Sequence, residues 1–410
     1  VIEILLLFIL GGLTSLSLPP LNFFLLNFFT FSIFFSFLFK KLNVEKKKIN
    51  FFFYGWFFGF GYFITNLYWI TISLTFDENF RYLIPIAFIL IPCFLAIFYG
   101  LISLFFNFFN PKNILSAFFL FSVLFGILEF ARGIILSGFP WNLIVYSFSK
   151  NLSFINIVSL VGTYSLNLIV VSFFIAPAIY ILRKSKKEIV ICSVLIVLPI
   201  IFFVYGNIKN QEFKNKDLKK IPYTIRIIGS NISLERFYNN SSPEAVINEL
   251  ITISSPTLNK KIFFLWPEGI IPNTYQDELY LYDYIFKKNF DDNHIIGLGI
   301  THKKSKNDIL EFYNSFSIFD NKLNLIENYY KNNLVPFGEF LPLENILNII
   351  GLKTITNDFG SFTKGDERKV INIKYGSLQN LKFLPLICYE IIYSGNLSNN
   401  YDFDFIINIS

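Results

Sequence analysis

Two hydrophobic patterns divide the chain. Up to about residue 205, long apolar runs follow one another near 2–18, 21–39, 50–74, 83–109, 113–136, 154–182 and 189–205, separated by short polar breaks. A bilayer core about 30 Å thick takes roughly 20 apolar residues per helix, so these seven runs predict seven membrane-spanning helices. After about residue 206 Asp, Glu, Asn and Lys become frequent, and from 222 short β-rich runs alternate with polar, helix-like stretches. Strands are predicted at 224–229, 262–266, 294–301, 312–319, 370–375, 382–388 and 403–409, and helices at 243–255, 277–289 and 391–399. Strands alternating with helices argue for an α/β sheet. The expected organisation is a transmembrane domain over 1–206, a linker over 207–221 and an α/β domain over 222–410. The last strand runs into residue 410, so this second domain is expected to be truncated at its C-terminus.

Composition strengthens the membrane reading. Of 410 residues, 53% are hydrophobic and only 16% charged, too apolar for an average water-soluble protein. The 54 Phe are a bias of the whole chain, so no aromatic belt is read from them. The first run lacks a basic leader and the second follows almost at once, which favours a span over a cleaved signal peptide. Orientation comes from basic residues in short loops. Lys40, Lys41, Lys46, Lys47 and Lys48 lie between the second and third runs, and Arg183, Lys184, Lys186 and Lys187 between the sixth and seventh. Those loops are expected in the cytoplasm and the second domain outside it. The lysines at 209–220 do not reverse this, because large domains translocate largely regardless of charge.

Candidate chemistry gathers in the second domain. Three segments place an ionisable residue at or just after the end of an apolar strand, the edge where sites form in open α/β folds. They are Leu265-Trp266-Pro267-Glu268-Gly269, Tyr330-Lys331 followed by Asn332 to Phe340, and Leu386-Ile387-Cys388-Tyr389-Glu390. Singly, Glu268 reads as a turn carboxylate, Lys331 as a solvated strand end and Cys388 as a core thiol. Together they read as a site: a thiol at a strand-to-helix junction is ionised by the helix N-terminus and a nearby Lys, and a neighbouring carboxylate is a general base. Cys93 and Cys192 sit inside apolar runs, where a buried hydrophobe is the expected role. With His294 and His302 the only histidines, and no HExxH or GxSxG, zinc and Ser-His-Asp chemistry lack their parts. No phosphate loop or nucleic-acid-binding pattern stands out. Glu129 and Arg132, three residues apart, share a helix face at membrane depth. They are either a lipid-headgroup or access site or a mutually satisfied pair.

The order Glu, Lys, Cys, with Pro-Glu after an apolar strand, Lys331 ahead of Leu334-Val-Pro-Phe-Gly-Glu-Phe-Leu-Pro-Leu-Glu344, and Cys-Tyr-Glu at the third segment, resembles the nitrilase superfamily. Together with the apolar runs and Gly138-Phe139-Pro140-Trp141, it is similar to the apolipoprotein N-acyltransferase family. The resemblance implies an α-β-β-α sandwich on the extracytoplasmic side, carried on a polytopic α-helical membrane domain in a bacterial inner membrane. It implies Glu268 as base, Lys331 as oxyanion stabiliser and Cys388 as nucleophile, with Glu339, Tyr389 and Glu390 in support. Phe237 stands where the family leads one to expect a Trp, and it joins Trp266, Glu129, Arg132 and Trp141 as expected substrate or lipid contacts. The implied partners are a phospholipid acyl donor, phosphatidylethanolamine, and a diacylglyceryl apolipoprotein acceptor, with no cofactor and no metal. Two other readings use the same residues or none of them: a membrane-tethered nitrilase-type amidase, and a membrane scaffold with an inactive domain.

Overall fold

The computed structural model describes residues 1–75, 78–217, 222–232, 242–306, 308–342, 360–375, 381–395 and 397–410. The chain divides into two compact units, Val1–Asp217 and Leu218–Ser410.

The first unit is helical. Its elements are α1 (Ile2–Ser15), α2 (Leu26–Lys41), α3 (Lys48–Asn66), α4 (Ile84–Phe109), α5 (Ile114–Ile134), the short α6 (Leu152–Ile155) and α7 (Val158–Val161), α8 (Thr163–Phe174), α9 (Ala176–Leu182) and α10 (Lys186–Lys214). Among the described residues four stretches are long and apolar enough to cross a membrane: Phe80–Phe109, Ile114–Ile134, Thr163–Leu182 and Lys186–Lys214. A fifth is added if α3 and the turn Tyr68–Thr75, bent by 47° at their junction, make one span. This unit is a membrane domain. α1 has 14 residues and α2 has 16, shorter than the apolar runs that contain them. α1 stops ahead of Pro19-Pro20, residues that cannot donate a helical hydrogen bond. α10 instead runs beyond its apolar run to Lys214, so residues 207–214 of the expected linker are helical. A surface ion pair between Lys209 and Glu212, one turn apart, lies on this extension.

Helices in lipid gain little from burying apolar surface against each other, and close packing has to hold them together. Here large rings and absent side chains do so. Phe34 stacks on Phe58 with centroids 4.1 Å apart, and Phe121 meets Phe34 edge-on at 5.9 Å. Between α1 and α3 the backbones touch. A Cβ on Gly11 would lie 1.9 Å from the Phe58 carbonyl oxygen, and one on Gly61 would lie 2.0 Å from that of Phe8.

The second unit holds two sheets. β1 (Thr224–Ile227), β2 (Ile262–Leu265) and β3 (His294–Lys306) are parallel neighbours, and β4 (Ile309–Phe319) and β5 (Leu325–Tyr330) continue the sheet antiparallel. The smaller sheet pairs β6 (Ile371–Ile373) antiparallel and β8 (Phe405–Ile409) parallel with the central β7 (Leu381–Ile387). Alternation along β2 explains the layering. Ile262, Phe264 and Trp266 face a core shared with α11 (Pro243–Ser254) and α12 (Asp283–Asn289). Phe263 and Leu265 face the opposite core, against Phe316, Ile373, Leu381, Phe383 and Ile407 of the two sheets. A strand covered on both sides reads as the continuous apolar run Ile-Phe-Phe-Leu-Trp. The layering is helices on sheet on sheet.

Among the described residues of 391–399 the expected helix is not formed. A short 3-10 turn, Cys388–Ile392, is followed by irregular chain with Gly395 at φ +79°. Side chains from Cys388 to Glu390 are committed to the site instead of to a helix face.

The α1–α3 contact predicts a sharp contrast in detergent melting. Gly61→Val forces the two backbones apart and lowers the melting temperature, at a cost of about 1–3 kcal/mol for overpacking. Gly12→Ala, whose Cβ meets nothing closer than 3.4 Å, is neutral or stabilising. Equal melting of Gly61→Val and wild type would remove the close approach.

Candidate active site

Three strand ends converge. Glu268 follows β2, Lys331 follows β5 and Cys388 follows β7. β2 and β5 point the same way, because two antiparallel steps through β4 restore the direction of β3. Glu268 rides close on β3: a Cβ at position 299 would lie 2.4 Å from the Glu268 Cα, so only Gly299 lets the turn settle there. The chain turns again at Gly269, φ +53°.

Lys331 is 1% exposed and is the centre of the cluster. Its Nζ lies 2.9 Å from Glu339 Oε1 and 3.3 Å from Glu268 Oε1. Burial disfavours the ammonium, yet Glu268, Glu339 and the neighbouring Cys388 outweigh it and hold its pKa above the ordinary lysine value. Asn314, on β4, closes the ring, with Nδ2 donating at 2.6 Å to Oε1 of Glu268 and at 2.6 Å to Oε1 of Glu339. Its carbonyl also accepts the Lys331 N–H at 2.9 Å. Glu339 is fixed by its own turn, accepting from Val335 N at 2.8 Å. The Tyr389 ring lies 5.5 Å from the ammonium and adds a cation–π contact.

Cys388 sits at a strained elbow with φ +54°, a conformation costing roughly 1–2 kcal/mol for a residue with a Cβ. Glu390, fully buried, folds back to accept the Ile387 N–H through Oε2 at 2.9 Å. Its Oε1 accepts from the N–H groups of Asn332 and Asn333, both at 2.9 Å, and the Tyr329 hydroxyl donates to both oxygens. Tyr389 is anchored by its hydroxyl, which donates to the Leu334 carbonyl at 2.7 Å.

The surroundings of the thiol favour its protonated form. Burial, and then the negative charge of Glu268, push it up to about 11, against the opposing pull of Lys331 and the Tyr389 peptide. The expectation of a thiolate ionised by a helix N-terminus and a lysine is corrected here. The turn after Cys388 is only five residues of 3-10 helix, and desolvation dominates.

The other expected contacts separate. Trp266 is fully buried against the helix layer, with its indole N–H donating to Ser254 Oγ at 2.9 Å, so it lines no site. Phe237 lies outside the described residues. In the membrane unit Glu129 and Arg132 are both 1% exposed and pair with each other. Arg132 Nη1 also donates to the carbonyls of Phe139 at 2.6 Å and Trp141 at 2.9 Å. The guanidinium therefore clamps the Gly-Phe-Pro-Trp loop and is not presented to a headgroup. Trp141 is half-buried, edge-on to Trp69 at 5.7 Å. Two residues outside the expected set support the site: Asn314, which bonds both carboxylates, and Arg368, which pairs with Glu390. Asn314 had a signal, as an amide inside a buried strand, where Asn is disfavoured. Arg368 had none, lying in the polar run Gly365-Asp-Glu-Arg-Lys369.

Layered sheets with a carboxylate, an ammonium and a thiol at their strand ends, joined in one chain to apolar helices, define a membrane-bound enzyme of the carbon-nitrogen hydrolase type. Residues 291–407 match the carbon-nitrogen hydrolase family and residues 10–176 the apolipoprotein N-acyltransferase N-terminal domain. The apolipoprotein N-acyltransferase of Rickettsia prowazekii is 30% identical over 418 residues, covering 98% of this chain and 78% of its own length. That of Rhizobium rhizogenes is 27% identical over 401 residues, covering 95% and 74%. The chain belongs to the apolipoprotein N-acyltransferase family.

A thiol held near 11 predicts the pH dependence of its reactivity. The thiolate fraction is small throughout the neutral range, so alkylation of Cys388 by iodoacetamide climbs about tenfold per pH unit between about pH 7 and 9. Peptide mass spectrometry after timed quenching reads this rate. A plateau below about pH 8 would mean that Glu268 and Lys331 leave the thiol ionised at rest.

Proposed function

We propose that the protein transfers a fatty acyl group from a phospholipid, through a thioester on Cys388, to the α-amine of the N-terminal diacylglyceryl-Cys of an apolipoprotein. The observation that carries this reading is the contact cluster of Glu268, Lys331 and Glu339 beside the half-buried Cys388. Glu268 takes the thiol proton as the sulfur attacks the ester carbonyl. A thiol pushed up to about 11 needs such a base, since little thiolate is present without one. Two of the three Lys331 ammonium hydrogens go to the carboxylates. The third is assigned to the developing oxyanion, where one donor is worth on the order of a few kcal/mol. Collapse breaks the C–O bond, and Glu268 returns its proton to the departing lysophospholipid hydroxyl. The acceptor amine then attacks the thioester and loses a proton to Glu268, and the thiol is regenerated as the amide forms. Glu339 and Asn314 position Lys331 and Glu268, and Tyr389 and Glu390 hold the elbow.

Phosphatidylethanolamine, through its sn-1 chain, is the donor in this reading. Both substrates carry acyl chains, and a chain with its own membrane domain shares the bilayer with them. The assigned compartment is the bacterial inner membrane, with residues 222–410 on the periplasmic side. The basic loop at 183–187 adjoins the start of α10, whose 29 residues are long enough to cross, so the chain leaves α10 on the side opposite that loop. In intact cells an impermeant maleimide should label cysteines placed on the surface of the second unit and spare those placed in the 40–48 loop. The reverse pattern would overturn the orientation.

Intact-protein mass spectrometry after incubation with phosphatidylethanolamine should find an acyl adduct on the wild type and none on Cys388→Ala. Cys93→Ala and Cys192→Ala keep it. Glu268→Gln should slow adduct formation by about 10²-fold or more. An adduct formed by Glu268→Gln at the wild-type rate would transfer the base role to Glu339. Lysophospholipid released equally with and without an acceptor peptide would favour water as the acceptor, and so an amidase-like hydrolase.

A further inference from the structure

Lys331 and Cys388 reach the site from different sheets, and one buried carboxylate touches the main chain beside both. Glu390 Oε1 receives the N–H of Asn332, the residue bonded to Lys331, and Oε2 receives the N–H of Ile387, the residue bonded to Cys388. A carboxylate with no exposure requires a counter-charge. Arg368 supplies it. Arg368 is 9% exposed, and its Nη2 lies 3.2 Å from Glu390 Oε1 and 2.6 Å from Asn333 Oδ1. Its Nε donates to the Tyr329 hydroxyl at 3.1 Å, the same hydroxyl that donates to Glu390, and Nη1 donates to the Leu397 carbonyl at 3.0 Å. The planar fork thus spans the end of β5, the elbow carboxylate and the chain beyond the elbow. A lysine supplies the charge and cannot supply that fork.

We propose that Arg368 is a positioning residue for acyl transfer: by pinning the Glu390 carboxylate it sets, through the peptides at Asn332 and Ile387, how closely the Lys331 ammonium approaches the Cys388 thiol. This rests on Cys388 and Lys331 being the nucleophile and the cation of the site. In this role Arg368 acts through Glu390 and not on the reacting groups.

The test measures iodoacetamide alkylation of Cys388 in the full chain at fixed pH, below the melting temperature, alongside thioester formation from phosphatidylethanolamine in mixed micelles. A merely structural arginine, once removed, loosens the elbow, exposes the thiol and speeds alkylation or leaves it unchanged. Positioning predicts the opposite sign. Lys331 favours the thiolate, so Arg368→Gln, with the ammonium displaced, should alkylate on the order of tenfold more slowly. Thioester formation should fall at least as far while the KM for phospholipid stays at the wild-type value. Arg368→Lys should fall between the two, about threefold down. Alkylation of Arg368→Gln at or above the wild-type rate overturns the proposal. If that variant does not fold, Arg368→Lys decides by the same sign. A wild type that forms no thioester sinks the reading of Cys388 as acyl carrier, and the alkylation comparison still decides the role of Arg368.

Discussion

A buried ammonium shared by two carboxylates is the constraint on which the second unit depends. Lys331 has almost no access to water, and an unpaired charge there would cost several kcal/mol. It is tolerable only because Glu268 and Glu339 arrive from separate parts of the chain with an oxygen each. Two carboxylates so close would repel, and the Asn314 amide answers this by giving one hydrogen to each. The polar ring then dictates backbone positions: β4 must present Asn314 opposite the end of β5, and β3 must be bare at Gly299 for Glu268 to lie down. Cys388 lies beside this cluster, and the strain of its elbow is offset by the hydrogen bonds of Glu390.

That arrangement also decides how the thiol works. A nucleophile beside a single cation would rest as a thiolate, reactive toward any passing electrophile. Here burial and the charge of Glu268 keep the proton on sulfur. On the proposed mechanism, the thiol becomes reactive only when Glu268 takes its proton during attack.

Part of this was legible because an ionisable residue at or just after the end of an apolar strand stands out. Glu268 and Cys388 have that signature, while Lys331 ends β5, a strand that Glu327 and Asn328 kept from reading as an apolar run and that was not among those predicted. Trp266 shares the neighbourhood and misleads: period-two alternation along β2 turns it to the helix layer while the turn beyond it carries Glu268 into the site. The protonation state of Cys388 was out of reach, because spacing reveals a nearby lysine but not how deeply the sulfur is buried. Arg368 was invisible for a related reason. Its partners Tyr329, Asn333 and Glu390 lie 39, 35 and 22 residues away, and a polar loop gives no hint which of its charges turns inward. In the membrane unit the apolar runs marked the helices, while their ends depended on local breakers such as Pro19-Pro20 and on the continuation of α10 past its last apolar turn.

The ion pair inside α5 has a bearing on biosynthesis. Glu129 and Arg132 are one turn apart on the same helix, so their match requires no tertiary structure and is available as soon as that turn forms. Both lie in the last two turns of α5, so each charge alone costs less than the roughly 2.5–3.5 kcal/mol of a position at the centre of an inserting helix. Paired, they enter the bilayer as a dipole. The carbonyls of Phe139 and Trp141, which follow in the chain, can then be captured by a guanidinium that is already in place. Loss of either partner would therefore be felt first by the insertion machinery, before the bundle has had any chance to pack.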